Sequence, residues 1–207
     1  MRFSVSSLAS AVAPVVVGAV VLLSYAPDAK ADYYVRRAPE QMGTGLNLGL
    51  DLEGASDATP PQNTSGEGGG GFKLRIGAEI RRPYLRIIPE GGFGYTHLFV
   101  SDNAGDNVGW NMERLFVGVR IGFGEVIVPI IYGHIGYGWR TTGTNDTIGA
   151  GSAVPGASGL TGDGGIGLDF HFIRHVGFGL HAEYVTVQAN PATPDWIAVG
   201  AHMDVRF

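Results

Sequence analysis

Three stretches of the chain place an imidazole two residues from a carboxylate: Asp169 and His171, His181 and Glu183, and His202 and Asp204. In extended backbone, residues two apart point to the same face, so each pair would share one surface. Histidines and carboxylates facing one cavity can hold a divalent metal or change charge near neutral pH. His181, His202 and Asp169 are the candidate metal ligands on this reading. A simpler reading is a neutralised polar filling, because nothing in the spacing imposes tetrahedral geometry, and no cofactor is expected. A second set, Arg75, Glu79, Arg86, Glu90 and Arg120, has the chemistry of buried ion pairs.

Both sets sit in segments of about ten residues in which apolar and polar side chains alternate, the pattern of a strand with two different faces. Leu46, Leu48, Leu50 and Leu52 alternate with Asn47, Gly49, Asp51 and Glu53, and Leu74, Ile76, Ala78 and Ile80 with Lys73, Arg75, Gly77 and Glu79. Similar segments begin near Leu85, Leu115, Ile127, Asp163, Val176 and Ile197. The expectation is an all-β chain of eight antiparallel strands over residues 43–207. A turn centred on Arg82 and Pro83 would set Glu79 opposite Arg86 and Arg75 opposite Glu90. Centring the last connection near residue 191 would set His181 opposite His202, with Glu183 and Asp204 two positions along and Asp169 diagonal. The whole polar set, Arg75, Glu79, Arg86, Glu90, Arg120, Asp169, His181, Glu183, His202 and Asp204, then lines one face. Pro89 and Pro129 fall inside strands and each removes a ladder donor, so bulges or shortened pairing are expected there.

The connections alternate too. Residues 54–71, 98–111, 140–161 and 188–195 form longer loops at one end, while the turns near Arg82, Gly124 and Arg174 are short. The run 66–71 is almost all glycine and reads as a flexible surface loop, since no Lys-Ser/Thr pair follows it to make a phosphate loop. Asn63-Thr64-Ser65 and Asn145-Asp146-Thr147 fit the glycosylation sequon.

Composition narrows the classes. The chain has 207 residues, with 34 glycines, no cysteine, 16% charged residues and a net charge of −5. Without cysteine there is no disulfide framework and no iron–sulfur cluster. The acidic balance argues against nucleic acid as a partner. Residues 1–31 read as a signal peptide: Arg2, an apolar stretch over 8–23, and a small-x-small cleavage site ending at Ala31. Residues 32–42 follow as a short periplasmic segment.

A soluble barrel would bury the apolar face instead. Three features favour lipid outside: glycine crowds the polar face, aromatics fall near both strand ends, and the chain stops on an aromatic, Phe207. The aromatics are Tyr84, Phe123, Phe172 and Phe207 toward the turns, and Tyr95, Trp139, Tyr184 and Trp196 toward the loops.

Eight amphipathic strands, a signal peptide and the terminal Val205-Arg206-Phe207 resemble the small outer-membrane β-barrels of the outer membrane protein A transmembrane-domain type. The resemblance implies an up-and-down transmembrane barrel in the Gram-negative outer membrane, with outer-membrane lipids as neighbours. It also implies the barrel assembly machinery as a partner reading Phe207, Val205, Met203 and Ala201. An eight-stranded interior is filled by side chains, so the expected role is structural, or binding of an unidentified extracellular ligand through the loops. A narrow porin-like channel and a lipid A modifying enzyme are the alternatives. Outer-membrane deacylases carry a nucleophilic serine two residues after a histidine on the same strand. Here the residues two after each histidine are Phe99, Gly136, Ile173, Gly177, Glu183 and Asp204.

Overall fold

A computed structural model describes residues 43–58, 65–82, 84–101, 107–142, 157–171, 175–189 and 195–207. The proposed signal peptide and the segment 32–42 lie outside these residues, as do Phe172 and Pro83. Eight strands form: β1 (Gly43–Asp57), β2 (Ser65–Arg82), β3 (Leu85–Ser101), β4 (Asn107–Phe123), β5 (Ile127–Thr142), β6 (Ala157–Phe170), β7 (Val176–Ala189) and β8 (Trp196–Arg206). Each pairs antiparallel with its neighbour in sequence, and β1 closes on β8, giving a barrel without a free edge.

Alternation decides which way each residue faces. Val117, Ile135, Leu160 and Ile166 are 61%, 72%, 65% and 65% exposed on the outer wall, whereas Arg75, Glu79, Glu183 and His202 are buried inside. A continuous apolar outer wall around a charged interior reverses the arrangement of a soluble barrel and calls for lipid as the solvent. Among the described residues no helix is long and apolar enough to cross a membrane. The strands run from 11 residues in β8, which matches the roughly 9–11 that span a bilayer, to 18 in β2, which exceeds it.

Much of the excess length extends β1 to β7 into segments expected as loops. Residues 66–71 continue β2 and pair with β3. The ladder is a backbone interaction and forms without side chains to announce it. A Cβ at Gly69 or Gly71 would lie closer than 3.0 Å to the β3 backbone, so these glycines are packing residues of the wall. Gly68, with φ of 91°, absorbs a register shift between Gly66 and Gly68. The connections between strands therefore shrink to 58–64, 102–106, 143–156 and 190–195.

Two registers differ from expectation by two residues. Arg82 pairs with Leu85, and Tyr84 carries φ of 60°, so the corner lies one residue later than a turn centred on Arg82 and Pro83. Arg75 accordingly faces Gly92, and Arg81 faces Arg86. Between β7 and β8, His181 faces Gly200 and Gly179 faces His202. At Pro89 the β2 ladder is interrupted beside Ala78 and Glu79 without a change of register. Pro129 lies one residue past Ile130, the last β5 residue paired with β4, so its missing donor breaks no bond on that side. Neither proline makes a bulge, and at both it is the other expected outcome, shortened pairing, that forms.

Trp196 also departs from expectation: it is fully buried and packs inside the barrel with Trp110. By parity it shares the inner face with Ala198 and His202, so it cannot belong to the loop-side aromatic rim. Tyr84, Phe123 and Phe207 on the turn side and Tyr184 on the loop side are 69%, 49%, 69% and 45% exposed, as interface residues should be.

Candidate functional site

The candidate site is the barrel interior, to which every strand contributes polar side chains from alternate positions. At its centre Lys73 of β2 is 2.5 Å from Glu183 of β7, 3.3 Å from Glu53 and 3.7 Å from Asp51 of β1. Glu183 also accepts from Arg114 of β4 at 2.9 Å and from the Tyr132 hydroxyl of β5 at 3.0 Å, so one carboxylate ties walls across the lumen. Arg75 donates to Asp51 at 2.7 Å, to Glu90 at 3.0 Å and to Asp204 at 3.1 Å. Arg120 stands 3.4 Å from Glu90 and 3.8 Å from Asp204. His134 bridges Asp163 at 2.5 Å and Glu90 at 3.0 Å. Dehydrated charges are stable only when matched this closely.

All of Arg75, Glu79, Arg86, Glu90, Arg120, Asp169, His181, Glu183, His202 and Asp204 are buried on the inner face. Arg75 and Glu90 meet despite the shifted register, because they reach each other diagonally at 3.0 Å. Glu79 and Arg86 are 3.8 Å apart in the same way. Asp51, Glu53, Lys73, Arg114, Asp163 and His134 complete the network. Their positions on the polar face of their segments were visible in the sequence, but nothing local marks them as partners across the lumen.

The histidine group also changes composition. His202 Nε2 lies 2.7 Å from Asp169 and 3.7 Å from Asp204, making Asp169, His202 and Asp204 the set close enough to share an ion. His181 faces the other ring nitrogen of His202, at 3.3 Å, and stands 3.7 Å from Glu53. Arg75 and Arg120 already neutralise Asp204.

Above the network, toward the loops, the inner face turns apolar. Ala55, Leu98, Trp110, Met112, Val185, Val187, Trp196 and Ala198 pack together across the lumen. Arg114 lies under the Trp196 ring at 5.9 Å, and Arg140 stacks on Trp110 at 4.6 Å, joining charge to cap. Sequence reasoning missed this cap because it assumed a polar interior throughout.

On the outer wall at the same end, Tyr95 donates to Asn111 at 2.8 Å, His97 meets Asn111 at 2.6 Å, and Trp139 donates to Glu113. Satisfied polar groups beside aromatic rings mark the upper limit of the apolar band, where polar side chains cost little.

No family model and no curated protein matches the sequence. Among solved structures, the fold is similar to Neisserial surface protein A, with a TM-score of 0.53 and 13% identity over 80% of this chain and 99% of that one. It is similar also to Ail, the attachment invasion locus protein of Yersinia pestis, solved in complex with the heparin analogue sucrose octasulfate. There the TM-score is 0.50 at 14% identity, covering 79% of this chain and 97% of that one. At such identities the likeness is one of fold: the chain is a closed eight-stranded antiparallel barrel, similar in fold to small outer-membrane barrels.

Proposed function

We propose that this chain is a bacterial outer-membrane barrel with a plugged lumen, doing its work at the cell surface by binding an extracellular partner or by contributing to envelope integrity. The observation that carries this reading is the interior itself: a cross-linked charged network beneath an apolar cap. Solute flow would have to break several buried ion pairs at once, which disfavours a narrow channel. The proposed role is not enzymatic. Among the described residues, histidine side chains meet Asn, carboxylates, another histidine, Arg206 or a backbone carbonyl, and none meets a serine or threonine hydroxyl.

Surface chemistry narrows the partner. The connections 58–64, 102–106, 143–156 and 190–195 contain no Lys or Arg, and their charged residues are aspartates. A sulfated or phosphorylated polyanion would find no cation there, so an uncharged or cationic partner fits better. Export through a signal peptide cleaved near Ala31 and assembly through Phe207 belong to the same proposal. In planar bilayers the refolded chain is expected to give no stable conductance steps at concentrations where a porin control conducts. Reproducible steps would overturn the plugged-lumen reading.

A further inference from the structure

We propose that the turn-side mouth of the barrel holds a phosphate-type anion between Arg81, Arg206 and His175. In the central network each cation has carboxylates around it, Arg75 meeting Asp51, Glu90 and Asp204. The mouth breaks this pattern. Arg81 and Arg86 are directly opposite across β2 and β3, where like charges destabilise pairing. Arg206 of β8 enters the same layer, and among the described residues Glu79 is the carboxylate in ion-pair range of all three guanidiniums, with Asp169 and Asp204 acting from farther off. Glu79 lies 2.7 Å from Arg81, 3.6 Å from Arg206 and 3.8 Å from Arg86.

The remaining donors are incompletely used. Arg86 Nη2 reaches the Glu125 carbonyl at 2.9 Å, and Arg206 Nη2 donates to the His171 ring. Arg86 Nη1 and Arg206 Nε are buried without an acceptor. Such N–H groups cost free energy, and here they accompany three guanidiniums crowded into one layer.

A recess of about 150 Å³ opens at this point, lined by Thr44, Arg81, His175, Arg206 and Phe207. Two of the crowded arginines thus line a space that can admit a ligand, and the Thr44 hydroxyl adds a donor, while the exposed His175 gives its Nδ1 proton to the Arg206 carbonyl at 3.1 Å and forms one wall. Guanidinium pairs suit the several oxygens of a phosphate group. Phe207, 69% exposed on the lipid-facing side, borders the recess, so a phospholipid headgroup could enter sideways while its chains stay in the membrane. A free phosphate would arrive from the aqueous side, and the two sources share the same recognition chemistry.

The test follows thermal unfolding of the refolded chain by gel mobility, in a maltoside detergent without phosphate groups and at fixed ionic strength. Inorganic phosphate is titrated against chloride, and short-chain phosphatidylglycerol against diacylglycerol. The wild type is expected to show a saturable rise of about 5 °C at roughly a hundredfold excess over Kd. Arg81→Gln, on the accessible rim, and His175→Ala are expected to fold and to lose that rise. A response to both probes assigns the site to the phosphate group itself, and a response to the lipid alone assigns it to the headgroup. Equal midpoints with and without both probes would overturn the proposal, as would a full response in Arg81→Gln.

Discussion

Replacing Lys73 by methionine is expected to destabilise the barrel by about 3–5 kcal/mol, the usual cost of removing one partner from a buried charge pair. Lys73 is 1% exposed and sits among Glu183, Glu53 and Asp51 at 2.5, 3.3 and 3.7 Å. Methionine keeps most of the stem volume, so the loss reports the carboxylates left without their cation in a dry interior. Glu183 retains Arg114, and Asp51 retains Arg75. Glu53 suffers most, since its remaining ion pair among the described residues is His181 at 3.7 Å. Adding Glu53→Gln to Lys73→Met should therefore recover about 1 kcal/mol or more. Urea titration of unfolding from lipid vesicles measures both variants. A loss below about 1 kcal/mol for Lys73→Met, the scale of an exposed pair, would mean that water reaches this layer.

The second large effect separates two classes of glycine. On the inner face, a Cβ at Gly92 or Gly118 would lie closer than 3.0 Å to a neighbouring strand's carbonyl oxygen and to the Phe116 or His134 ring. Backbone cannot yield cheaply, so Gly92→Ala and Gly118→Ala are each expected to cost about 1–3 kcal/mol or to prevent closure. On the outer wall, a Cβ at Gly133 or Gly164 would meet nothing closer than 3.6 Å and 3.8 Å. Gly133→Ala and Gly164→Ala should be neutral, or stabilising by up to about 1 kcal/mol, because alanine has less conformational freedom to lose. The same titration compares all four, and equal losses in both classes would contradict the packing described for the interior.

These two experiments address features of unequal visibility in the sequence. Strand number and the facing of Leu46, Arg75, Glu183 or His202 were legible, because a period of two writes both faces of a strand into the order of residues. Register was not. A shift of one residue would expose the charges, but a shift of two leaves every side chain on its own face, so the hydrophobic pattern cannot distinguish Arg75 opposite Glu90 from Arg75 opposite Gly92. The choice lies in the corner geometry at Tyr84. Long side chains then restored the Arg75–Glu90 contact diagonally, which explains how the right ion pair accompanied the wrong facing partner.

Strand ends were hidden for a different reason. Residues 66–71 offer almost no side chains to alternate, yet their backbone joins the ladder. The cap escaped notice because Leu98, Trp110, Met112 and Trp196 are apolar residues facing inward, an exception to the rule that located everything else. Of the candidate site, then, the membership of its charged positions was readable. Its pairings depend on registers and on chords across the lumen, and those exist only once the sheet closes.

Brominated lipid offers the most direct test of the central claim, that the apolar face meets the membrane while a charged and capped interior is sealed from it. The chain has three tryptophans, with Trp110 and Trp196 in the cap and Trp139 on the outer wall. Three variants, each keeping one tryptophan and replacing the other two by phenylalanine, would be refolded into vesicles of lipid brominated near the headgroup. Strong quenching is expected for Trp139 alone, and little for Trp110 or Trp196. Quenching of Trp196 to the extent seen for Trp139 would contradict the assignment of faces on which the whole account rests.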